Sequence, residues 1–437
     1  CAECKKSPFI AGNASDKVKL IVIAGDRGLA GGYNANVFRE AAKYPDAEFI
    51  PIGKRACERY SAEVNSSEKY PSVKLLERKS ASLYGADIAA DVSKSGENQV
   101  IKLAVSCIDD RFALENESIV EEAARLLFEI AFKPDFVNGL FKKDEVESEK
   151  RLLLEQLGAE KSDKRIYAKN RCEEIMFADE LYGINRLGDS ESVLKVDEKS
   201  LTEAYFEMLS TAYISLCVSG GDLNTEKIEK MFFDYFPKIE RSTAKLDTLF
   251  VESAEDITYI KEAENIKQGK LVMGFRLGME NARDGYAARR VMTDLFGGSP
   301  HSKLFSVVRE KMSLCYYCSA SSSRVKGLIT VESGVEEQNA EKAEKAISEQ
   351  LEIMKKGEFT DFEFSSSVKS LRDSLNSYND SQPLLDLWYA LKAVNKNLYS
   401  PEDIAEKISA VTRDEIIAAA NGVKLHTVYK LLPKEEK

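Results

Sequence analysis

Two similar α+β domains, preceded by a short, truncated α/β segment, are the architecture this sequence predicts. Three observations carry that expectation. A buried-strand run, a Gly-rich turn and a helix open the chain between residues 18 and 53. Near residue 60 the pattern changes to alternating strands and long amphipathic helices. That second order of elements then occurs twice, which places domain boundaries at 1–62, 63–245 and 246–437.

The first segment begins with VKLIVIA (18–24), an apolar run short enough for a strand buried on both faces. Gly25, Gly28, Gly31 and Gly32 follow, then a helix near NVFREAAKY and a second strand, EFIPIG, at 48–53. This is β-turn-α-β, and it stops there. Beyond the seam, ADIAADV (86–92) and VIKLAVSC (100–107) alternate around KSGEN and predict an antiparallel hairpin with one face on a core. SIVEEAARLLFEIAF then sets Ile119, Ala123, Leu126, Leu127 and Ile130 in a helical stripe that Pro134 terminates. A helix over DEVESEKRLLLEQL, further helix to about 209 and a strand at 212–222 complete the first domain.

The polar stretch 240–262 reads as the connector. LVMGFRL (271–277) alternates strictly, with Leu271, Met273, Phe275 and Leu277 on one face. Strands near 315–323 and 327–333 follow, then a helix over 338–355 with Ala340, Ala343, Ile347, Leu351 and Met354 at spacings of three and four. GEFTDFEFSSSVKSLRDSL (357–375) can be laid on GLFKKDEVESEKRLLLEQL (139–157), with Gly, Phe, Glu, Ser and Leu in the same places. Helices on one face of antiparallel sheets give the α+β class.

Composition excludes several partners. Hydrophobic residues make up 43% and charged residues 31% of the chain, as in ordinary soluble proteins. The net charge of -11 is spread through helical stretches, against a nucleic-acid or anionic-membrane partner. The longest apolar run, about LIVIA, is far from the roughly 20 residues that span a bilayer, and CAECKKSPF lacks a signal-peptide pattern. With eight dispersed cysteines, a reducing cytoplasm is the expected location.

Few groups have the pattern of a chemical site. The Gly-rich turn stands where backbone N–H groups could cradle phosphate, but no Gly-Lys-Ser/Thr follows and no acidic residue ends the next strand. A tight turn is the simpler reading. Two Cys-x-x-Cys pairs occur, CAEC and CYYC, the latter at Cys315 and Cys318. On a regular strand an odd separation puts side chains on opposite faces, against a zinc site there. No cofactor is expected. The chain has two histidines, His301 and His426, so H-x-x-E-H cannot be written anywhere in it. His301 in its Gly/Ser/Pro-rich loop reads as polar surface, and His426 in the final strand as structural.

GDRGLAGGYNANVFRE, with SPF upstream and FIPIGKRACERY downstream, resembles the gamma subunit of F-type ATP synthases over residues 7–60, a slice of a Rossmann-like subdomain. The resemblance covers neither of the long terminal helices of that rotor, so it implies neither a shaft nor a nucleotide site. From about Glu68 onward the chain resembles the pitrilysin/insulinase family of zinc peptidases, and within it the bacterial branch without the metal motif. LYGADIAADVSKSGENQVIKLAVSC, VESEKRLLLEQL and FGGSPHSKLFSVVREKMSLCYY carry that likeness. Active members hold zinc through an inverted H-x-x-E-H helix and a downstream Glu. The resemblance puts Glu147 near that third ligand, although alone it reads as solvated surface.

The same resemblance implies that Arg309 and Tyr316 hold a substrate backbone, the guanidinium on a peptide carbonyl and the phenol as a donor. Read from residues alone, Arg309 could instead pair with Glu310 or Glu332 while Tyr316 fills the core. The expectation is a non-catalytic peptidase homologue that binds peptide, alone or beside a zinc-bearing partner, or that self-associates. The alternatives are a structural or interaction protein and, through the first segment, an ATP-synthase-related component.

Overall fold

The structure, a computed structural model, describes residues 19–23, 38–39, 42–43, 48–52, 79–114, 116–221, 223–246, 248–251, 256–278, 285–323, 325–390 and 399–434. The Gly-rich turn at 25–32, the seam at 60–68, Cys1, Cys4 and Cys57 lie outside these residues. In chain order the elements begin with β1 (Lys19–Ile23), β2 (Glu48–Ile52), β3 (Asp87–Ser95) and β4 (Asn98–Ser106). Helices α1 (Ile119–Phe132), α2 (Lys143–Ser162), α3 (Lys164–Met176), α4 (Ser190–Lys195), α5 (Glu198–Thr211) and α6 (Thr225–Tyr235) follow. Then come β5 (Thr258–Glu264), β6 (Gly269–Arg276), α7 (Tyr286–Thr293), β7 (Cys315–Ser323) and β8 (Leu328–Val335). The chain continues through α8 (Ala340–Lys355), α9 (Asp361–Asn376), α10 (Gln382–Ala390), α11 (Pro401–Ser409), α12 (Arg413–Asn421) and β9 (Lys424–Pro433). This is the expected α+β class.

Contacts divide the chain into two units. One comprises Cys1–Asp91, Lys102–Pro134 and Gly221–Pro237; the other comprises Val92–Ile101, Asp135–Gly220 and Lys238–Lys437. In the first, β1 and β2 pair in parallel, Ile21 opposite Ile50, as a β-turn-α-β segment requires. Helix α1 buries Ile119, Ala123 and Leu126 from the predicted stripe, together with Ala124 and Phe128, and Leu127 and Ile130 are half-buried. Phe128 meets Phe232 of α6 edge-on at 5.7 Å. Lys133 caps the helix just before Pro134.

The second unit is built on a five-stranded sheet in the order β5-β9-β6-β8-β7. All pairs are antiparallel except β5 with β9, which is parallel. One face carries the main core. Leu271, Met273, Phe275 and Leu277, the predicted face of β6, pack there with Val291 of α7, Ile347 of α8, Ile404 of α11 and Ile416 of α12. Every predicted core position of α8 is buried. The opposite face is covered too. Helix α3 lays Ala168 and Cys172 on Val272, Tyr429 and Leu431. Strand β6 is therefore buried on both sides, which strict alternation of residue types does not predict, and Arg276 is enclosed with it.

Two further differences from the expectation are physical. Residues 212–222 form no strand among the described residues, although their residue types alternate. Tyr213, Leu216 and Val218 are exposed, and among the described residues β3 and β4 form a two-stranded sheet. Alternation makes a strand only where a neighbour supplies a ladder of N–H and C=O partners. By contrast, the internal match of 139–157 with 357–375 has a structural counterpart. Gly139 and Gly357 take the left-handed φ values of 79° and 74°, and α2 and α9 each begin four residues later.

Candidate functional site

The segment FGGSPHSKLFSVVREKMSLCYY folds as a wide helical turn that returns the chain to the sheet edge. After α7 the backbone passes through π-helical turns at Asp294–Gly298 and Leu304–Lys311, with Met312 N–H donating to the carbonyl of Val307 at 2.9 Å. Such widened turns frequently mark functional positions because they re-aim side chains out of helical register. Gly297 has a packing reason rather than a ligand-facing one. A Cβ there would stand 2.6 Å from the backbone nitrogen of Ala320 in β7. Gly297→Val should therefore destabilise the fold by about 1–3 kcal/mol. Thermal unfolding checks this, and an unchanged midpoint would contradict the close approach.

Arg309 and Tyr316 are brought together. Arg309 Nε donates to the backbone carbonyl of Tyr316 at 3.0 Å, and its guanidinium lies 4.4 Å from the centre of the Phe305 ring. It also pairs with Glu310 at 3.1 Å. Glu332 is engaged elsewhere, by Arg165 at 2.8 Å. Tyr316 does not fill the core: it is 59% exposed, and its O–H donates to Glu336 Oε1 at 3.2 Å. That hydrogen bond raises the phenol pKa, so the group remains a donor at neutral pH. Tyr316 also sits at a register shift, since Cys315 faces Val335 while Tyr317 faces Gly334. The result is a guanidinium anchored on the backbone of Tyr316, with the Tyr316 phenol exposed and bonded to Glu336, on the edge strand of the sheet.

The same bulge overturns the expectation for the Cys-x-x-Cys pair. Cys318 is buried in the main core and Cys315 packs against that core from a half-buried position, so both thiols lie on one side of β7. The intervening Tyr317 takes the other face, under the Arg165 guanidinium at 4.6 Å. An odd separation gives opposite faces only while the pleat is unbroken.

The chain's own residues do not fit the family's zinc centre. His426 Nδ1 lies 2.7 Å from Thr427 Oγ1 within β9, and burial lowers its pKa. His301 stacks edge-on to Phe362 with ring centres 5.6 Å apart. Glu147 is exposed on α2 and pairs with Lys150 at 2.9 Å. Among the described residues, no group of three or more His, Cys, Asp or Glu side chains is placed to hold a metal ion. No helix among them is long and apolar enough to cross a membrane.

Sequence reading missed a charged cluster behind the sheet. Arg276 donates to Glu180 Oε1 at 2.6 Å and to the carbonyl of Met176 at 3.2 Å, with the Phe177 ring 4.4 Å from its guanidinium carbon. Lys326 reaches Glu180 Oε2 at 2.5 Å, Glu97 Oε1 at 2.8 Å and the Leu249 carbonyl at 2.7 Å. Its only signal in the sequence is an arginine at the end of the apolar run LVMGF. Alongside α3 opens a cavity of about 470 Å³ whose lining includes Lys94, Glu160, Arg165, Glu173, Tyr182 and Arg186. Burial raises the Glu173 carboxyl and lowers the Lys94 amine, and Lys94 donates to the carbonyls of Tyr182 and Ile184 at 2.7 and 2.8 Å.

Comparison with known proteins accords with this arrangement. Residues 195–371 match the family described as the peptidase M16 inactive domain. The probable inactive metalloprotease YmfF of Bacillus subtilis (strain 168) is 30% identical over 350 residues, covering 80% of this chain and 82% of the relative. Among solved structures, a conserved protein from Enterococcus faecalis V583 superposes with a TM-score of 0.73 at 26% identity, covering 84% of this chain and 86% of that one. A peptidase M16 inactive domain from Pseudomonas fluorescens gives 0.65 at 18% identity, covering 87% and 88%. The chain belongs to the M16 family, the pitrilysin/insulinase peptidases, and to its inactive branch.

Proposed function

We propose that this M16 homologue is non-catalytic and holds an extended peptide along the outer edge of β7, with Arg309 and Tyr316 as its contacts. The observation that carries the proposal is that Arg309 is tied to the backbone of Tyr316 at a bulge in the edge strand, where the Tyr316 side chain is exposed. An edge strand offers unpaired backbone groups to an extended ligand, and the two side chains add a cation and a phenolic donor. The proposal includes a zinc-bearing member of the same family as partner, which would supply the hydrolytic centre that these residues cannot build. The two-domain division at about residue 245 belongs to the same reading. For residues 7–60, the gamma-subunit-like reading rests on the sequence alone, since a parallel pair such as β1 and β2 is common to α/β units.

Purified chain supplied with zinc should cleave no peptide, and robust chelator-sensitive hydrolysis by it would overturn the proposal. Binding of an extended fluorescent peptide should weaken about tenfold or more in Arg309→Ala, the loss of one charged hydrogen bond being worth about 1.5–3 kcal/mol. Equal affinity of wild type and Arg309→Ala would remove Arg309 from the contact. Affinity capture from native cells should recover an H-x-x-E-H relative in stoichiometric amount. Its absence favours a stand-alone clamp or self-association.

A further inference from the structure

The cysteines of the second unit differ in what surrounds them. Cys172 is buried against the sheet, and desolvation holds its thiol protonated. Cys217 is exposed beside the Asp386 carboxylate at 4.0 Å. Cys315 is half-buried at the start of β7, with Cys318 against it. The Arg309 guanidinium, tied to the carbonyl of the next residue, stands over the same end of the strand. Ser333, the register partner of Cys318, closes the site from β8.

We propose that Cys315 and Cys318 form a reversible dithiol–disulfide site that reacts with low-molecular-weight disulfides. It is independent of the peptide-binding reading. Geometry assigns the roles. Cys315 is reachable from solvent and adjoins Tyr316, whose carbonyl holds the Arg309 guanidinium, which makes it the attacking thiol, while Cys318 is sealed in the core and suits the resolving role. The Cys315 thiol is drawn down to about 7, chiefly by its contact with Cys318 and also by Ser333 and Arg309, whereas Cys318 is pushed up, first by Cys315 and then by burial.

In the first step the Cys315 thiolate attacks one sulfur of R–S–S–R. That S–S bond breaks and R–S⁻ leaves, taking a proton from solvent. In the second step Cys318 loses its proton and attacks Cys315 Sγ, expelling the other R–S⁻. Two protein thiols are oxidised to one disulfide, and the small disulfide is reduced to two thiols. Had β7 kept a regular pleat, the two thiols would lie on opposite faces and the second step could not occur. The bulge at Tyr316 is therefore what makes the pair competent.

The test uses the full chain, oxidised glutathione near neutral pH, alkylation of remaining thiols and peptide mapping by mass. Wild type should yield a Cys315–Cys318 disulfide that dithiothreitol reverses. Cys318→Ser should instead accumulate glutathione on Cys315, and Cys315→Ser should give neither product. Without oxidant, a mapped alkylation time course should modify Cys315 before Cys318, which the core seals. Recovery of both wild-type thiols in alkylated form after treatment, with glutathione only at Cys217, would overturn the proposal without reliance on any variant. If Cys318→Ser loses its far-ultraviolet circular dichroism, Cys318→Ala supplies the same trapping measurement.

Discussion

Glu180→Ala should destabilise the fold by about 3–5 kcal/mol, as expected when one partner of a buried ion cluster is removed. Glu180 is the shared anion between Arg276 and Lys326, and the three side chains are 6%, 2% and 0% exposed. Without it two cations are left in the interior, with Glu97 and the Leu249 carbonyl still bonded to Lys326 and the Met176 carbonyl to Arg276. Urea unfolding followed by tryptophan fluorescence and circular dichroism measures the loss, and a change under about 1 kcal/mol would contradict the assignment. The effect has a pH signature. Burial opposes ionisation of Glu180, but hydrogen bonds from Arg276 and Lys326 outweigh it and hold its pKa below the usual value. A folded-state pKa below the unfolded one, about 4.3, gives stability that is fully present above that pH. The contribution is lost as pH falls through the folded-state value, so the acid limb of stability should be shallower in Glu180→Gln.

Phe275→Ala should cost a similar amount, about 3–5 kcal/mol, through a cavity in the sheet's centre. Phe275 is fully buried on β6 between β8 and β9 and meets Phe296 edge-on at 6.3 Å. Strands on both sides prevent the backbone from closing the void. Phe275→Leu, which retains most of the volume, should lose markedly less. Denaturant midpoints of the pair decide the matter, and equal losses would mean that this part of the core relaxes freely.

Much of the second unit was legible in the sequence because periodicity and burial agree there. Ala340, Ala343, Ile347, Leu351 and Met354 form a core face in both readings, and so do the alternate residues of LVMGFRL. Sequence pattern failed where a side chain's fate depends on a distant partner. Arg276 occupies a position that alternation assigns to solvent, yet α3 covers it from a hundred residues upstream and Glu180 neutralises it. The 212–222 run has strand-like residues without a described ladder to join. At the candidate site, the resemblance placed Arg309 and Tyr316, but neither spacing nor composition reveals that Arg309 holds the carbonyl of Tyr316. The facing of Cys315 and Cys318 was equally illegible, since a single bulged residue reverses the parity of a strand.

The position of β9 also dictates when this unit can form. It lies between β5 and β6, parallel to one and antiparallel to the other, although residues 277–423 separate it from β6 in the chain. During synthesis those two strands emerge from the ribosome with no partner between them. They wait until the segment Lys424–Pro433 is translated and clears the exit tunnel. Nascent chains stalled before residue 424 would thus expose two unpaired edges, an arrangement open to chaperone capture and to pairing between neighbouring chains on a polysome.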